Sequence, residues 1–205
     1  AGAGTGGGGK TVGDVNGDQF ADFAISSDHV VSLYLGASTA VPTRPVRTIT
    51  SPSGECYFPG ASFGSALGKA GDFNGDGRAD LSVGAYCLPY TGGFFLGTGS
   101  VFIYNGTRDG VVEAPATLTG MYRETGFASW LGGFGDFNAD GVDDLSVIET
   151  RPVRVGKTQR EPPLWIYFGS SESFPGPMRW DFYPLRAEFE SPVATHVRRR
   201  TARGV

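Results

Sequence analysis

The 205-residue sequence predicts an all-β fold built of β-propeller blades, each a sheet of four antiparallel strands. A ten-residue stretch rich in Asp, Asn and Gly occurs three times, with its copies 58 and 64 residues apart. Each copy is followed by segments in which every second residue is apolar, which is the period of a half-buried strand. A repeat of about 60 residues with four strands is typical of a propeller blade, because one such sheet cannot bury both of its faces alone.

The three copies occupy residues 13–22, 71–80 and 135–144. Counted from the first Asp, positions 1, 3, 5 and 9 carry side-chain oxygen in every copy, whereas position 7 has no common chemistry and offers only its backbone carbonyl. The oxygen-bearing residues are Asp14, Asn16, Asp18 and Asp22; Asp72, Asn74, Asp76 and Asp80; and Asp136, Asn138, Asp140 and Asp144. The residues at position 7 are Phe20, Arg78 and Val142.

These loops have the donor chemistry of a calcium site. Closely spaced carboxylates repel one another unless a cation lies between them. Oxygen ligands at alternate positions, with Gly or Ala at position 4 for a tight turn, suit Ca²⁺, whereas Mg²⁺ retains more of its water. Turns rich in Asp and Asn also occur in β proteins without any metal. Because the pattern recurs three times, the sequence predicts up to three Ca²⁺ sites.

The loops differ from EF-hands. An EF-hand needs a Glu at position 12 and a helix on each side. Here position 12 is Ile25, Val83 or Val147, each within an alternating apolar segment. Each loop is therefore predicted to join two strands of a β-hairpin.

Two further strands follow in the same order in each repeat. Third strands are predicted at residues 30–35, 100–104 and 164–168, ending near Gly36, Gly106 and Gly169. Fourth strands are predicted at residues 45–49, 115–118 and 177–180. The connection between the second and third strands varies most in length. Such variable loops lie at one rim of a fold, and binding function is often found there.

We place the repeats at about residues 1–49, 50–121 and 122–186, followed by a tail or the start of a further blade at 187–205. Closed propellers have about four to eight blades. Three blades therefore predict either part of a larger ring or completion by other blades from the same or another chain. The arginines near the end of the chain are interpreted as a solvated tail, so no nucleic-acid partner is predicted.

The acidic composition reflects the loops and indicates no basic partner. Ten of the 21 acidic residues lie in the loops, and three bound Ca²⁺ would change the formal net charge of −4 to +2. No apolar run approaches the ~18 residues that a membrane span needs. Extracellular calcium would fill weak sites that resting cytosolic calcium would leave empty. The sequence therefore predicts a secreted or cell-surface protein.

Cys56 and Cys87 are consistent with one disulfide or with two free thiols. An extracellular location favours the disulfide.

No convincing catalytic constellation is present, so no enzymatic activity is predicted. Residues 60–64 fit the Gly-x-Ser-x-Gly nucleophile pattern, but that pattern belongs between a strand and a helix. Here it enters a repeat, and Gly126 takes the place of Ser62 in the next copy.

The repeats closely resemble the FG-GAP repeat, which builds the β-propeller of integrin α-subunits and of many secreted bacterial proteins. The resemblance rests on Phe63-Gly64, the second Asp-rich loop and residues 80–85 and 99–104. It covers about residues 5–185 and is weakest in the first repeat. It implies calcium in the hairpin between the first and second strands, on the face opposite the usual ligand-binding face.

Carried over by position, the resemblance assigns as calcium ligands the side chains at positions 1, 3, 5 and 9 and the backbone oxygens of Phe20, Arg78 and Val142. Gln19 replaces the Gly of position 6, so the first site is predicted to be the weakest, and Ala128 replaces the Gly of the third Phe-Gly pair. In the same blade arrangement the ends that carry Cys56 and Cys87 share the rim opposite the calcium, which would permit a bridge.

Two functions remain open at this stage. The first is a calcium-stabilised binding or adhesion module that meets a protein partner at the loop rim opposite the calcium. The second is a glycan-binding or glycan-processing protein in which the propeller carries or supports the site.

Overall fold

The computed structural model describes residues 8–52, 61–87, 98–112, 114–120, 126–150, 153–155, 158–160, 162, 164–171 and 179–182. Cys56 and residues 183–205 lie outside these ranges. The bridge from Cys56 to Cys87, the Arg-rich tail and the boundaries of the repeats therefore stay predictions.

The elements of the described residues are β-strands and turns, and none of them is a helix. The first sheet contains β1 (Gly9–Gly13), β2 (Asp22–Ser27), β3 (Val30–Tyr34) and β4 (Arg47–Thr50). Neighbouring strands pair antiparallel in the order β1-β2-β3-β4. The first and second strands flank the first Asp-rich loop, so the predicted hairpin is confirmed.

The second and third sheets repeat this order with one small hairpin added to each. The second sheet contains β5 (Ala61–Gly71), β6 (Asp80–Cys87), β7 (Ser100–Tyr104) and, after a hairpin of β8 (Gly106–Thr107) and β9 (Gly110–Val111), β10 (Ala116–Thr119). The third sheet contains β11 (Trp130–Gly135), β12 (Asp144–Ile148) and, after a hairpin of β13 (Val153–Val155) and β14 (Thr158–Arg160), β15 (Leu164–Tyr167) and β16 (Arg179–Phe182).

The three sheets stack face to face through two apolar cores. Alternate residues of β7 contribute to different cores, and all five residues of this strand are buried. The core between the first and second sheets includes Val12, Ala24, Val31, Leu33, Phe63, Val83, Phe102 and Tyr104. The core between the second and third sheets includes Phe73, Val101, Ile103, Phe127, Leu131, Leu145 and Trp165. The middle sheet is thus covered on both faces, as expected of a blade in a propeller.

The first strands of the sheets lie next to one another at the inner edge of the stack. β5 contacts both β1 and β11, and the Lys10 Nζ donates to the Leu131 carbonyl at 3.4 Å, which joins the first sheet to the third. In each sheet the register between the first and second strands shifts just before the loop. Three sheets of this kind form part of a β-propeller, and the predicted fold class is confirmed.

The Phe-Gly pairs pack between sheets. Phe63 and Phe127 are fully buried in the two successive cores. Gly64 has a φ of 79°, and Ala128, which stands in the place of the third glycine, keeps the same left-handed conformation with a φ of 66°. The departure from Gly at residue 128 therefore leaves the backbone path unchanged.

Candidate metal centres in the hairpin loops

Each Asp-rich loop connects the first strand of a sheet to the second. We call residues 14–22, 72–80 and 136–144 the first, second and third loops. Positions 4 and 6 of every loop have a left-handed backbone, so three loops of different sequence share one path. The residues at these positions are Gly17 and Gln19, Gly75 and Gly77, and Ala139 and Gly141. A left-handed residue other than Gly costs roughly 1–2 kcal/mol.

Gln19 is the residue at which the first loop departs from the other two. Its φ is 73°, whereas the same position is Gly77 or Gly141 in the other loops. The structure therefore places a non-glycine side chain in a conformation that favours glycine, which strains the first loop. Whether this site binds metal more weakly remains a prediction.

The side-chain oxygens at positions 1 and 3 share one backbone donor, which is the N–H of position 5. In the second loop the N–H of Asp76 donates to Asp72 Oδ1 at 2.8 Å and to Asn74 Oδ1 at 2.9 Å, which draws those two oxygens together. The Asp76 carboxylate in turn accepts from the backbone N–H of Arg78 and from the amide of Asn74. The first and third loops repeat these bonds.

The Asp at position 9 is fully buried in every loop, and both of its oxygens accept backbone N–H bonds. One bond comes from position 2 of the same loop, and the other from the glycine after the third strand of the same sheet. For Asp80 the donors are Phe73 at 2.9 Å and Gly106 at 2.9 Å. For Asp22 they are Val15 and Gly36, and for Asp144 they are Phe137 and Gly169.

This burial raises the pKa of all three carboxyl groups, because a buried carboxylate loses its hydration. The pKa of Asp80 rises to about 7. The backbone N–H bonds lower the pKa and the neighbouring carboxylates raise it, but both effects are smaller than that of burial. A cation close to these groups would favour their charged form.

The sequence did not reveal that position 9 connects the loop to the third strand. Gly36, Gly106 and Gly169 were predicted only as strand ends. The signal that could have shown their role is the recurrence of Gly after three third strands of different sequence. A Cβ at Gly106 would come 2.5 Å from the Val15 carbonyl oxygen and 2.6 Å from that of Ala79, so only glycine fits there.

The donor set of each loop fits calcium, although the carboxylates are not gathered as a preformed cluster. Across the described ranges, no group of three His, Cys, Asp or Glu side chains is arranged to hold a metal ion. Position 3 is Asn in each loop. The Asp at position 9 is buried, whereas the Asp residues at positions 1 and 5 are half-buried or exposed, so their carboxylates are the more accessible ones. Together with the Asn amide oxygen and the carbonyl at position 7 they are the hard ligands that Ca²⁺ prefers.

Arg78 brings a positive charge between the first and second loops. Its side chain lies against Gly17 of the first loop, and its Nη1 is 3.9 Å from Asp76 Oδ2. Its Nε is buried and has no hydrogen-bond partner among the residues that the structure describes. The Phe20 side chain at the same position of the first loop is 40% exposed, so position 7 has no shared side-chain role.

Successive loops are joined by backbone hydrogen bonds across the sheet interfaces. The N–H at position 8 of one loop donates to the carbonyl at position 1 of the preceding loop. These bonds are Ala79 to Asp14 at 2.9 Å and Asp143 to Asp72 at 3.0 Å. The three loops therefore form a connected row along one rim of the stack.

Family comparisons agree with this arrangement. A model of the FG-GAP-like repeat matches residues 14–83, and a model of the FG-GAP repeat matches residues 63–104. The chain contains FG-GAP repeats. The matches include the first two loops, the second Phe-Gly pair and the strands around them.

The FG-GAP chain is also similar to integrin α-subunits and to one phospholipase. It is 31% identical over 149 residues to integrin alpha-PS5 of Drosophila melanogaster, a match covering 65% of this chain and 14% of that protein. It is 42% identical over 68 residues to human integrin alpha-7, covering 33% of this chain and 5% of that protein. It is 31% identical over 150 residues to bovine phosphatidylinositol-glycan-specific phospholipase D, covering 68% of this chain and 17% of that enzyme. The chain thus spans less than a fifth of each of these relatives.

The described part of the FG-GAP chain contains no helix long and apolar enough to cross a membrane.

Proposed function

We propose that this chain is a calcium-stabilised, integrin-like propeller segment that binds a protein partner outside the cell. The observation that carries the proposal is the row of three loops with the same path, the same convergence of oxygens and direct bonds between neighbours. The similarity to integrin α-subunits supports an extracellular location and an adhesive role.

In this proposal the metal is structural. Asp72, Asn74 and Asp76, with the Arg78 carbonyl, would hold the second ion, and the matching residues of the other loops would hold the first and third. A bound Ca²⁺ would neutralise the carboxylates at positions 1 and 5. Hydrogen bonds within the loop hold the turn, because both carboxylate oxygens of Asp72 and the Oδ1 of Asn74 accept backbone N–H groups of the same loop.

Thermal and urea unfolding in excess Ca²⁺ and in chelator test the proposal. A site saturated to about 100 times its Kd adds about 2.7 kcal/mol to the free energy of unfolding. Asp76→Ala should remove the contribution of one site, whereas Asp28→Asn, in the turn between β2 and β3, should leave it unchanged. Identical unfolding of the wild-type chain in Ca²⁺ and in chelator would end the proposal.

We propose that the partner binds at the rim opposite the calcium loops. The described part of that rim includes the turn at Asp28 and His29, whose side chains are exposed and whose φ values are 49° and 64°. Cell-free pull-down with candidate extracellular proteins, comparing the wild type with His29→Ser and a charge reversal at Asp28, would test this surface. Unchanged binding by both variants would exclude the turn from the contact.

The two ends of the stack support completion of the ring by further blades. At position 2, Val15 and Phe73 are covered by the following sheet, whereas Phe137 is 54% exposed. At the other end, Ile25 lies on the outward face of the first sheet and is 38% exposed. Native mass measured in Ca²⁺ decides whether the blades come from a second copy, since a ring formed by association would have a multiple of the chain mass.

A glycan-directed function is the second candidate. The similarity to the phospholipase and the half-exposed ring of Trp130, at 50% exposure, favour it. Aromatic rings commonly provide flat apolar surfaces for binding. A glycan array with the wild type and Trp130→Ala would support this candidate if binding were specific and lost in the variant, and an array without any signal would rule it out.

A further inference from the structure

Asp143 of the third loop holds both backbone groups of Asp72, the first position of the second loop. Its N–H donates to the Asp72 carbonyl at 3.0 Å, and its Oδ2 accepts from the Asp72 N–H at 2.9 Å. Asp143 stands beside the buried Asp144, whose carboxylate is bonded to Phe137 and Gly169. The third loop is therefore hydrogen-bonded both to its own sheet and to the second loop.

The site for the Asp143 side chain is built into the second loop. Gly71 precedes Asp72, and any Cβ at residue 71 would overlap the Asp143 side chain, with 2.5 Å to its Cβ and Cγ. Gly71 has a left-handed φ of 73°, and the N–H of the next residue, Asp72, is directed at Asp143 of the third loop. The absence of a side chain at residue 71 thus allows the carboxylate to reach the backbone.

The junction between the first and second loops lacks this carboxylate. The residue at position 8 there is Ala79, which makes only the backbone bond to Asp14 at 2.9 Å. The surroundings are otherwise similar, because a Cβ at Gly13 would come 2.6 Å from the Ala79 Cβ. The junction between the second and third loops therefore has two hydrogen bonds, from and to Asp143, whereas the junction between the first and second loops has one, from Ala79.

We infer that Asp143 is a positioning residue that couples metal binding in the second and third loops. The inference rests on the calcium sites proposed above, in whose ligand sets Asp143 is not included. Ca²⁺ bound in the third loop would hold Asp143 in place, and Asp143 would then hold Asp72 of the second loop. Binding at one loop would therefore lower the entropy cost of ordering the other loop. The first loop, joined through Ala79 alone, would be coupled more weakly.

Amide NMR during Ca²⁺ titration tests the coupling, with Gly77 and Gly141 as reporters of the second and third loops. Asp140→Ala disables the third loop but leaves Asp143 in place. In the wild-type background this change should weaken Ca²⁺ binding at the second loop about tenfold, within the usual range of coupling between sites. In an Asp143→Ala background the same change should alter that affinity less than twofold.

Asp143→Asn separates positioning from charge, because the amide oxygen can still accept the Asp72 N–H. This variant should keep most of the coupling. Equal loss of coupling in Asp143→Asn and Asp143→Ala would show a charge effect and overturn the inference. Ala79→Asp is the reverse test and should increase the coupling between the first and second loops. Asp28→Asn removes the same charge as Asp143→Asn and serves as the control for that variant.

Hydrogen exchange of the Asp72 amide in chelator gives a readout that needs no metal. Asp143→Ala should speed this exchange about tenfold or more, and Asp143→Asn should change it much less. Wild-type loops that bind no Ca²⁺ would end the proposed function. Loops that bind Ca²⁺ independently, with no effect of Asp140→Ala on the second loop, would overturn the coupling alone.

Discussion

Asp80 and Gly106 join the loop of the second sheet to the end of its third strand. The Gly106 N–H donates to Asp80 Oδ1 at 2.9 Å, while the other carboxylate oxygen accepts the N–H of Phe73. Because the carboxylate is fully buried, water cannot replace either donor. This pair of bonds shows that a carboxylate predicted from the sequence as a metal ligand holds the loop to the end of the third strand.

Asp80→Asn should destabilise the metal-free protein. An amide has only one oxygen, so its NH₂ would face one of the two buried N–H donors. We expect a loss of about 1–3 kcal/mol in the free energy of unfolding, measured by urea titration in chelator.

Asp76→Asn is the matched variant, because Asp76 is exposed. It should leave the metal-free stability nearly unchanged and reduce only the response to Ca²⁺. Equal metal-free stabilities of the two variants would contradict this assignment.

Gly106→Ala should be among the most damaging single methyl additions in the chain. The new Cβ would meet two backbone carbonyl oxygens, from Val15 and Ala79, neither of which can move as a side chain could. We expect a loss of roughly 1–3 kcal/mol in the free energy of unfolding. Gly8→Ala provides the control, since nothing lies within 4 Å of a Cβ there. A Gly106→Ala protein as stable as Gly8→Ala would refute the tight approach.

Gln19→Gly should stabilise the first loop. Removal of the left-handed strain is worth roughly 1–2 kcal/mol, and the greater freedom of Gly in the unfolded chain offsets about 0.5–1 kcal/mol of it. The expected gain is therefore about 0.5–1 kcal/mol, with tighter Ca²⁺ binding at the first loop. Urea unfolding and a titration followed at the Gly17 amide measure both effects. Gly77→Gln, the reverse change in the second loop, should weaken both properties there, and a stabilising effect would contradict the explanation.

Phe73 and Phe137 occupy the same loop position but should respond differently to mutation. Phe73 is 2% exposed, so Phe73→Ala should cost about 3–5 kcal/mol. Phe137→Ala, at 54% exposure, should change the free energy of unfolding of the isolated chain much less. If further blades cover this end, the second change should instead reduce their association, measured as native mass. Similar destabilisation by the two changes would argue against an open end at Phe137.

The periodic features of the fold were predictable from the sequence. The loops, the strand order and the stacking of four-stranded sheets all follow from residues that recur at matching positions in three repeats. The left-handed backbone at Gln19 and Ala139 follows as well, because Gly occupies the equivalent position in both of the other loops.

The contacts between sheets were not predictable in the same way. Asp143 occurs at position 8 in one loop only, and nothing in the local pattern separates it from the metal ligands beside it. Its role depends on where the second sheet lies relative to the third, which a repeat length does not encode. The hairpins of β8–β9 and β13–β14 were also missed, because each occurs in a single repeat within the ranges that the structure describes.

The bonds from Ala79 to Asp14 and from Asp143 to Asp72 run in one direction along the chain. Such a stack has a polarity, with an accepting end at its last sheet and a donating end at its first. Any further blades would then have to add head-to-tail, since two identical ends placed together would supply donors without acceptors or the reverse. Head-to-tail addition of this kind either closes into a ring or continues as an open filament. The angle between neighbouring sheets would then decide how many sheets complete a ring.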